Sequence, residues 1–275
     1  MIRKIDSVYH GCQVTVGARQ RPAGPAKLQM KDYLHPESEL TWTPPDSCDF
    51  SGPCLQGLQD ILANDTLGDC TCAGYGHVLD VLIGNAGGNQ MVTKDQVIAL
   101  YSAATGYNPD DPNTDQGADE QTLLDWLKTN PALDGSTLYG YVGLDASNPT
   151  EIKQAISMFK NCYFGVELPA EWTNPMPEAP GFVWDVAGDA DPNEGHCFIG
   201  YGYTDQGVLI DTWGMVPGSI ITWAAIAKYC AADSGGMLYV LLNQDIINKA
   251  SQLDPDKLDW SQLIADFQSL QAAQS

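Results

Sequence analysis

Positive charge is what this sequence has least of. Thirteen Lys and Arg stand against 35 Asp and Glu, a formal net charge of −22 over 275 residues. Such a balance excludes a nucleic-acid-binding surface and favours high solubility. The three arginines, Arg3, Arg19 and Arg21, all fall in the first 21 residues. No apolar run approaches the ~18 residues of a membrane span, and no apolar stretch follows Met1 to Asp6, so neither a span nor a secretory signal is expected. The eight cysteines, at 12, 48, 54, 70, 72, 162, 197 and 230, are too sparse for a disulfide scaffold. Cys48 and Cys54 are close enough to bridge locally around Ser51-Gly52-Pro53, although reduced thiols are the default for an intracellular protein. Gly84 to Gly88 lacks the Lys-Ser/Thr of a phosphate loop, and no Cys/His spacing fits zinc. Asp111-x-Asn113-x-Asp115 and Asp189-x-Asp191-x-Asn193 both miss the glycine of a calcium loop. No cofactor and no metal is expected.

What is present describes a loop-rich globular chain, 44% hydrophobic with 27 Gly and 17 Pro, long enough for one large domain or two small ones. Its charge is uneven: residues 1–40 carry a net +2 and the remaining 235 residues −24. Residues 1–45, interrupted by proline, read as an extended N-terminal arm; 46–246 form the main domain; 247–275 hold a terminal amphipathic helix. Helices are predicted from Cys70 to Gly84, Thr93 to Ala104, Gln121 to Lys128, and Thr150 to Phe159 with Thr150 as cap. The last runs from Pro255 to Ala273, capped by Asp254, with an apolar stripe of Trp260, Leu263, Ile264, Phe267 and Leu270 that needs a body or a partner to pack on. Short β-branched and aromatic runs, 163–168, 196–203, 207–211, 219–223 and 237–242, read as antiparallel strands. Helices first and strands second is an α+β pattern.

The chain is organised around Asn64 to Leu79, NDTLGDCTCAGYGHVL, a turn opening into a helix with Cys70 in its first turn. Unpaired amides and the positive helix end there favour a thiolate. Cys72 is a rival thiol, but ~200° away around the helix, and His77 reads as a half-buried helix residue. Downstream, His196 opens the strand His-Cys-Phe-Ile-Gly-Tyr-Gly-Tyr, and Asp211 begins Asp-Thr-Trp-Gly 15 residues later. Two strands joined at Thr204 to Gly207 would set imidazole beside carboxylate, fixing its tautomer. A cysteine at a helix start with a histidine on a sheet is a nucleophile and its base.

In these residues and their order the chain resembles the papain-like cysteine peptidases, over roughly residues 45–245. Cys70, His196 and the run Val-Leu-Ile-Asp-Thr-Trp-Gly resemble that family's Cys, His and Asn-Ser-Trp-Gly segments, with His196 126 positions after Cys70. The resemblance implies a papain-like α+β fold, helix-rich and sheet-rich halves meeting at a cleft, and Trp213 packed over His196 and Asp211. It implies Asn64 at the oxyanion position six residues before the cysteine, where the family keeps a longer glutamine. Asp211 in the third place is similar to the Cys-His-Asp set of the bacteriocin-leader peptidases, and the wording NDTLGDCT is similar to papain-fold proteins of bacteria and their phages. The family's tryptophan after the nucleophile is Thr71 here.

The implied activity is thiol-dependent acyl transfer, most simply peptide-bond hydrolysis. Cys70 would be nucleophile, His196 base and acid, Asp211 the orienting group, and Asn64 the oxyanion donor. Acyl transfer or amide hydrolysis on the same triad is one alternative. Another is a papain fold serving as a structural module of a virion or other assembly, docking through the arm and the terminal helix. Expected partners are a peptide or protein substrate, with cationic peptides favoured by the acidic loops around Asp185, Asp189, Asp191, Glu194 and Asp110 to Glu120. A cytoplasmic or virion-associated location follows from the missing signal.

Overall fold

The β-branched runs of the second half pair into one sheet. The computed structural model describes residues 2–18, 27–34, 42–131, 133, 135, 137–253 and 256–272. Its sheet runs β4 (Gly140–Gly143), β10 (Met237–Leu242), β5 (Cys162–Pro169), β7 (Ala190–Tyr203), β8 (Gly207–Asp211), β9 (Ile220–Thr222) and β6 (Val183–Trp184), with β3 (Cys48–Asp49) also pairing on β7. Pairing is antiparallel except between β6 and β9. Every residue of β8 and β10 is buried, so both faces of the sheet are covered, and the apolar core divides into one cluster on each side.

Helix α1 (Cys70–Asn85) covers one face. Thirteen of its residues are buried, which is why its sequence shows little amphipathic bias: a helix surrounded by protein is apolar all round. Gly74 lets it approach β7, since a Cβ there would lie 3.2 Å from Cys197 Sγ and from the Tyr163 ring. Helix α2 (Lys94–Thr105) begins with the expected Thr93 cap, completed by Gln96 into a capping box. Helix α3 (Glu120–Leu127) is capped by Asp119. Helix α4 (Pro149–Phe159) starts one residue before the expected Thr150. Asn148 supplies the cap and Pro149 takes the first position, where its missing N–H costs nothing.

Two further expectations are corrected, the single terminal helix and the free arm. The chain after the sheet forms two helices, α5 (Gln244–Leu253) and α6 (Trp260–Ala272); Asp254 and Pro255 lie outside the described residues. The stripe of α6 packs on the body: Trp260, Leu263 and Phe267 are buried, Trp260 edge-on to Phe159 and Phe267 so close to Gly140 that a Cβ there would overlap its ring. The first residues are not extended. They form a hairpin, β1 (Arg3–Ser7) with β2 (Cys12–Val16), whose Ile5, Val14 and Val16 are buried in the main core. A lone hairpin is marginal in water, and each such side chain contributes about 1.5–3 kcal/mol when buried, so docking is what orders it. Arg19 and Arg21 lie outside the described residues. All eight cysteines are free, Cys48 and Cys54 included.

Candidate active site

Cys70 stands at the first position of α1, as its sequence context predicts, and only 1% of its surface is exposed. Burial pushes its thiol up to about 12, helped by the nearby Glu120 carboxylate; backbone groups of Cys197 and Gly17 at the sulfur pull the other way. Cys197 follows His196 directly, so the thiol meets the β7 backbone one residue from the histidine; the imidazole is not among the groups acting on the thiol, nor the thiol among those acting on the imidazole. Gly17 belongs to the N-terminal segment, so that segment also reaches the thiol. Cys72 is fully buried, and burial raises its thiol well above the ordinary value.

His196 is 1% exposed and stacks on Trp213 with ring centroids 4.2 Å apart, as the resemblance implied. Its Nε2 lies 2.8 Å from Thr212 Oγ1, and its Nδ1 has no hydrogen-bond partner. With Thr212 accepting, the tautomer carries hydrogen on Nε2 and leaves the Nδ1 lone pair open to a proton. Burial alone presses this imidazole down to about 3.

Asp211 is not the group that holds His196. In the sheet Asp211 sits opposite Ile199, so those two share a face. Ile199 is three residues beyond His196, an odd step, so His196 points to the opposite face. The parity that turns Asp211 toward α1 turns Thr212 toward His196. Trp213 then breaks the alternation at φ +52° and lies over the imidazole. Asp211 instead meets His77, whose Nδ1 is 3.5 Å from Asp211 Oδ2 and 3.7 Å from Asp80 Oδ2. His77, expected to be half-buried, is 5% exposed.

Asn64 is buried near the helix start, but its amide is already engaged. Nδ2 donates to Thr15 Oγ1 at 2.9 Å, Leu67 O at 3.2 Å and Asp69 Oδ1 at 3.3 Å. Thr15 in turn donates its backbone N–H to Asn64 O at 2.9 Å, and its hydroxyl bonds the carbonyls of Asn64 and Leu67. Further contacts fix the same segment across the cleft. Ala18 N–H donates to Gly195 O at 3.0 Å, Trp213 Nε1–H donates to Thr15 O at 3.0 Å, and His10 Nε2–H donates to Trp213 O at 2.7 Å. Arg3 pairs with buried Glu194. Gly17 fits so closely that a Cβ would lie 2.7 Å from the backbone of Gly68. The hairpin and residues 17–18 therefore bond both walls of the cleft. A small cavity remains beside His196, lined by Ala18, Glu120, Glu167 and Met237 among others.

No family model matches the chain, and no curated protein matches it. Solved structures do. Xylellain, a cysteine protease from Xylella fastidiosa, superposes with a TM-score of 0.58 at 11% identity, over 82% of this chain and 97% of that one. Digestive procathepsin L 3 from the larval midgut of Tenebrio molitor gives 0.53 at 12% identity over 83% and 75%, and the procathepsin L2 proteinase from the same source 0.52 at 13% over 82% and 78%. The fold is papain-like. At such identities the likeness extends to the fold, and the chemistry rests on the residues themselves. Sequence reasoning passed over Thr212, Gly17 and the pairing of His77, and named Glu120 only as the end of an acidic stretch; strand parity points to Thr212 once the β7–β8 register is known.

Proposed function

We propose that this chain is a thiol hydrolase of peptide bonds held latent by its own N-terminal hairpin. The observation that supports the reading is the helix-start thiol of Cys70 meeting the backbone of Cys197, the residue after His196, whose Nε2 is tied down and whose Nδ1 is unclaimed. With the hairpin displaced, His196 Nδ1 takes the thiol proton and the sulfur attacks a peptide carbonyl. The proton passes to the leaving amine, and water, deprotonated by the same nitrogen, releases the acid. The Cys70 N–H at the start of α1 and the Asn64 amide, freed of Thr15, serve the oxyanion. Thr212 orients the imidazole in the role expected of Asp211.

The resting arrangement is not competent. Moving a proton from a thiol at about 12 to an imidazole at about 3 costs on the order of 10 kcal/mol before any bond is made. Burial is the leading cause at both groups, so admitting water lowers that cost from both ends. In protein with the hairpin loosened, a fluorogenic peptide should be hydrolysed. Cys70→Ala should abolish the activity and His196→Ala should lower kcat/KM at least 100-fold, while Thr212→Val should cost about 10-fold. Hydrolysis that survives Cys70→Ala defeats the proposal.

Substrate charge provides a second measurement. The loop carboxylates named from sequence are mostly used within the protein: Glu194 by Arg3, Asp185 by Thr222, and Asp191 by Asn193. Glu120, at the end of the other acidic stretch named from sequence, lines the cavity beside His196 together with Glu167. Peptides with a Lys or Arg directed into that cavity should be cleaved about 10-fold faster than acidic ones at low ionic strength, and salt should narrow the gap. Equal rates across the panel would remove this specificity.

A further inference from the structure

Beneath the site lies a charged cluster that the proposed chemistry leaves unused. His77 is two helical turns from Cys70, on the same face of α1. Its Nδ1 is shared between Asp80 Oδ2 at 3.7 Å, three residues along the same helix, and Asp211 Oδ2 at 3.5 Å, at the end of β8. All three side chains are buried, and His77 Nδ1, Asp80 Oδ2 and both Asp211 oxygens lack a hydrogen bond of ordinary geometry. Asp80 is fixed independently, its Oδ1 accepting the Val92 N–H at 2.6 Å. Asp211 is followed by Thr212 and Trp213, the two residues that grip His196. One imidazole thus connects the helix that bears the thiol to the strand end that holds the base.

We infer that His77 is a positioning residue: its buried pairing with Asp211 sets how the Cys70 helix and the Thr212–Trp213 grip on His196 stand relative to one another. The inference rests on the thiol-hydrolase reading. A buried ion pair between two elements is geometrically demanding, and breaking one partner leaves the other charge uncompensated. The charge states agree with the geometry. Burial disfavours the His77 cation, yet Asp211 and Asp80 outweigh it and raise the group; burial lifts Asp211 to about 6 against the pull of His77. The other titratable groups facing the cluster are Asp60, which acts on His77, and Cys54 and Tyr201, which feel Asp211. None of these supplies a second cation.

The test uses the full chain opened by Gly17→Val and wild type at every other position, this form serving as the parent for each variant below, and a small thiol reagent, methyl methanethiosulfonate, with Cys70 modification mapped by mass spectrometry from pH 5 to 9. His77→Gln and Asp211→Asn should each slow labelling of Cys70 about 10-fold and reshape its pH profile between pH 5 and 7. Asp80→Asn, which removes one of the two carboxylates that raise His77 but breaks no link between elements, should move the step in the profile to lower pH without slowing labelling above that step. A merely structural role would lower Tm and leave that shape alone. His196→Ala separates the two levels. If it slows labelling while His77→Gln and Asp211→Asn follow the parent profile, the hydrolase reading stands and the positioning role is overturned. If His196→Ala changes nothing, the hydrolase reading fails and takes the positioning role with it. Should His77→Gln fail to fold, the isosteric Asp211→Asn carries the test. With it, the His77 imidazole resonance should titrate at least one pH unit lower than in the parent, and an unmoved titration overturns the pairing.

Discussion

Gly17→Val should make Cys70 react with iodoacetamide about a thousand times faster at pH 7. The expectation follows from contact and charge together. An ordinary thiol at about 8.5 is a few per cent thiolate at neutral pH; one at about 12, as Cys70 is beneath the hairpin, is a thousandfold poorer in the reactive form. Any side chain at position 17 would place its Cβ 2.7 Å from the Gly68 backbone, and backbone has nowhere to go. The segment that reaches the sulfur must therefore lift. Water then reaches the thiol, and the helix end acts on it as on any exposed first-turn cysteine. Ile5 and Val14 lie away from position 17 and only Val16 adjoins it, so the end of β2 should loosen while the main body persists, as circular dichroism and Tm would show. Arg3→Glu, which sets two carboxylates together at Glu194, should loosen the hairpin by a separate route and act in the same direction. A labelling rate in Gly17→Val no higher than in wild type would show that the hairpin does not control the thiol.

The same variant weighs the hydrolase against the papain fold as a structural module. A latent enzyme gains thiol reactivity and peptide hydrolysis together when the segment lifts. A structural module gains solvent access at Cys70 without hydrolysis, and its His196→Ala form is labelled as fast as its parent. Arm and terminal helix were the surfaces expected to dock on other subunits. Ile5, Val14 and Val16 of the one and Trp260, Leu263 and Phe267 of the other are buried within this chain, while Val8 and Tyr9 at the hairpin tip are exposed.

Local chemistry carried most of what could be read beforehand. The α1 start at Cys70, the Thr93 cap and the strand limits at Gly207, Asp211, Met237 and Leu242 depend on neighbours within a few residues, and the sequence contains those neighbours. His196 beside Trp213 was legible through the resemblance to the papain-like peptidases, which implied that packing. The partner of His196 was not. Asp and Thr are adjacent at 211 and 212, and the choice between them depends on the register Ile199 to Asp211 between two strands, which composition does not encode. The engagement of Asn64 was hidden in another way: its amide bonds Thr15, 49 residues away, and a hairpin folded back over the cleft is a long-range event invisible to local pattern. His77 looked like a helix residue with a wet edge because its countercharge lies 134 positions on, at Asp211.

Acid should weaken the fold through His196 more than through any other single group discussed here. The imidazole titrates near 3 when folded and near 6.5 when unfolded. Between those values the unfolded chain binds a proton that the folded chain refuses, so stability rises with pH across the window and is lost as pH falls from 6.5 toward 3. Each unit is worth about 1.4 kcal/mol, on the order of 5 kcal/mol over the full interval. Asp211 works in the opposite sense. Its folded value of about 6 lies above the ordinary carboxylate, so between about 4 and 6 its contribution falls as pH rises. The raw stability curve is therefore flattened, and the comparison with His196→Phe exposes the histidine, because phenylalanine can keep the stack on Trp213 and cannot take a proton. Urea denaturation at pH 6.5 and 4.5 should show the wild type losing about 2–3 kcal/mol more than His196→Phe. Gly17→Val, which wets the site, should recover part of that difference. Parallel losses in wild type and His196→Phe would mean that His196 is not held neutral by burial, and the barrier assigned to the closed site would lose its base.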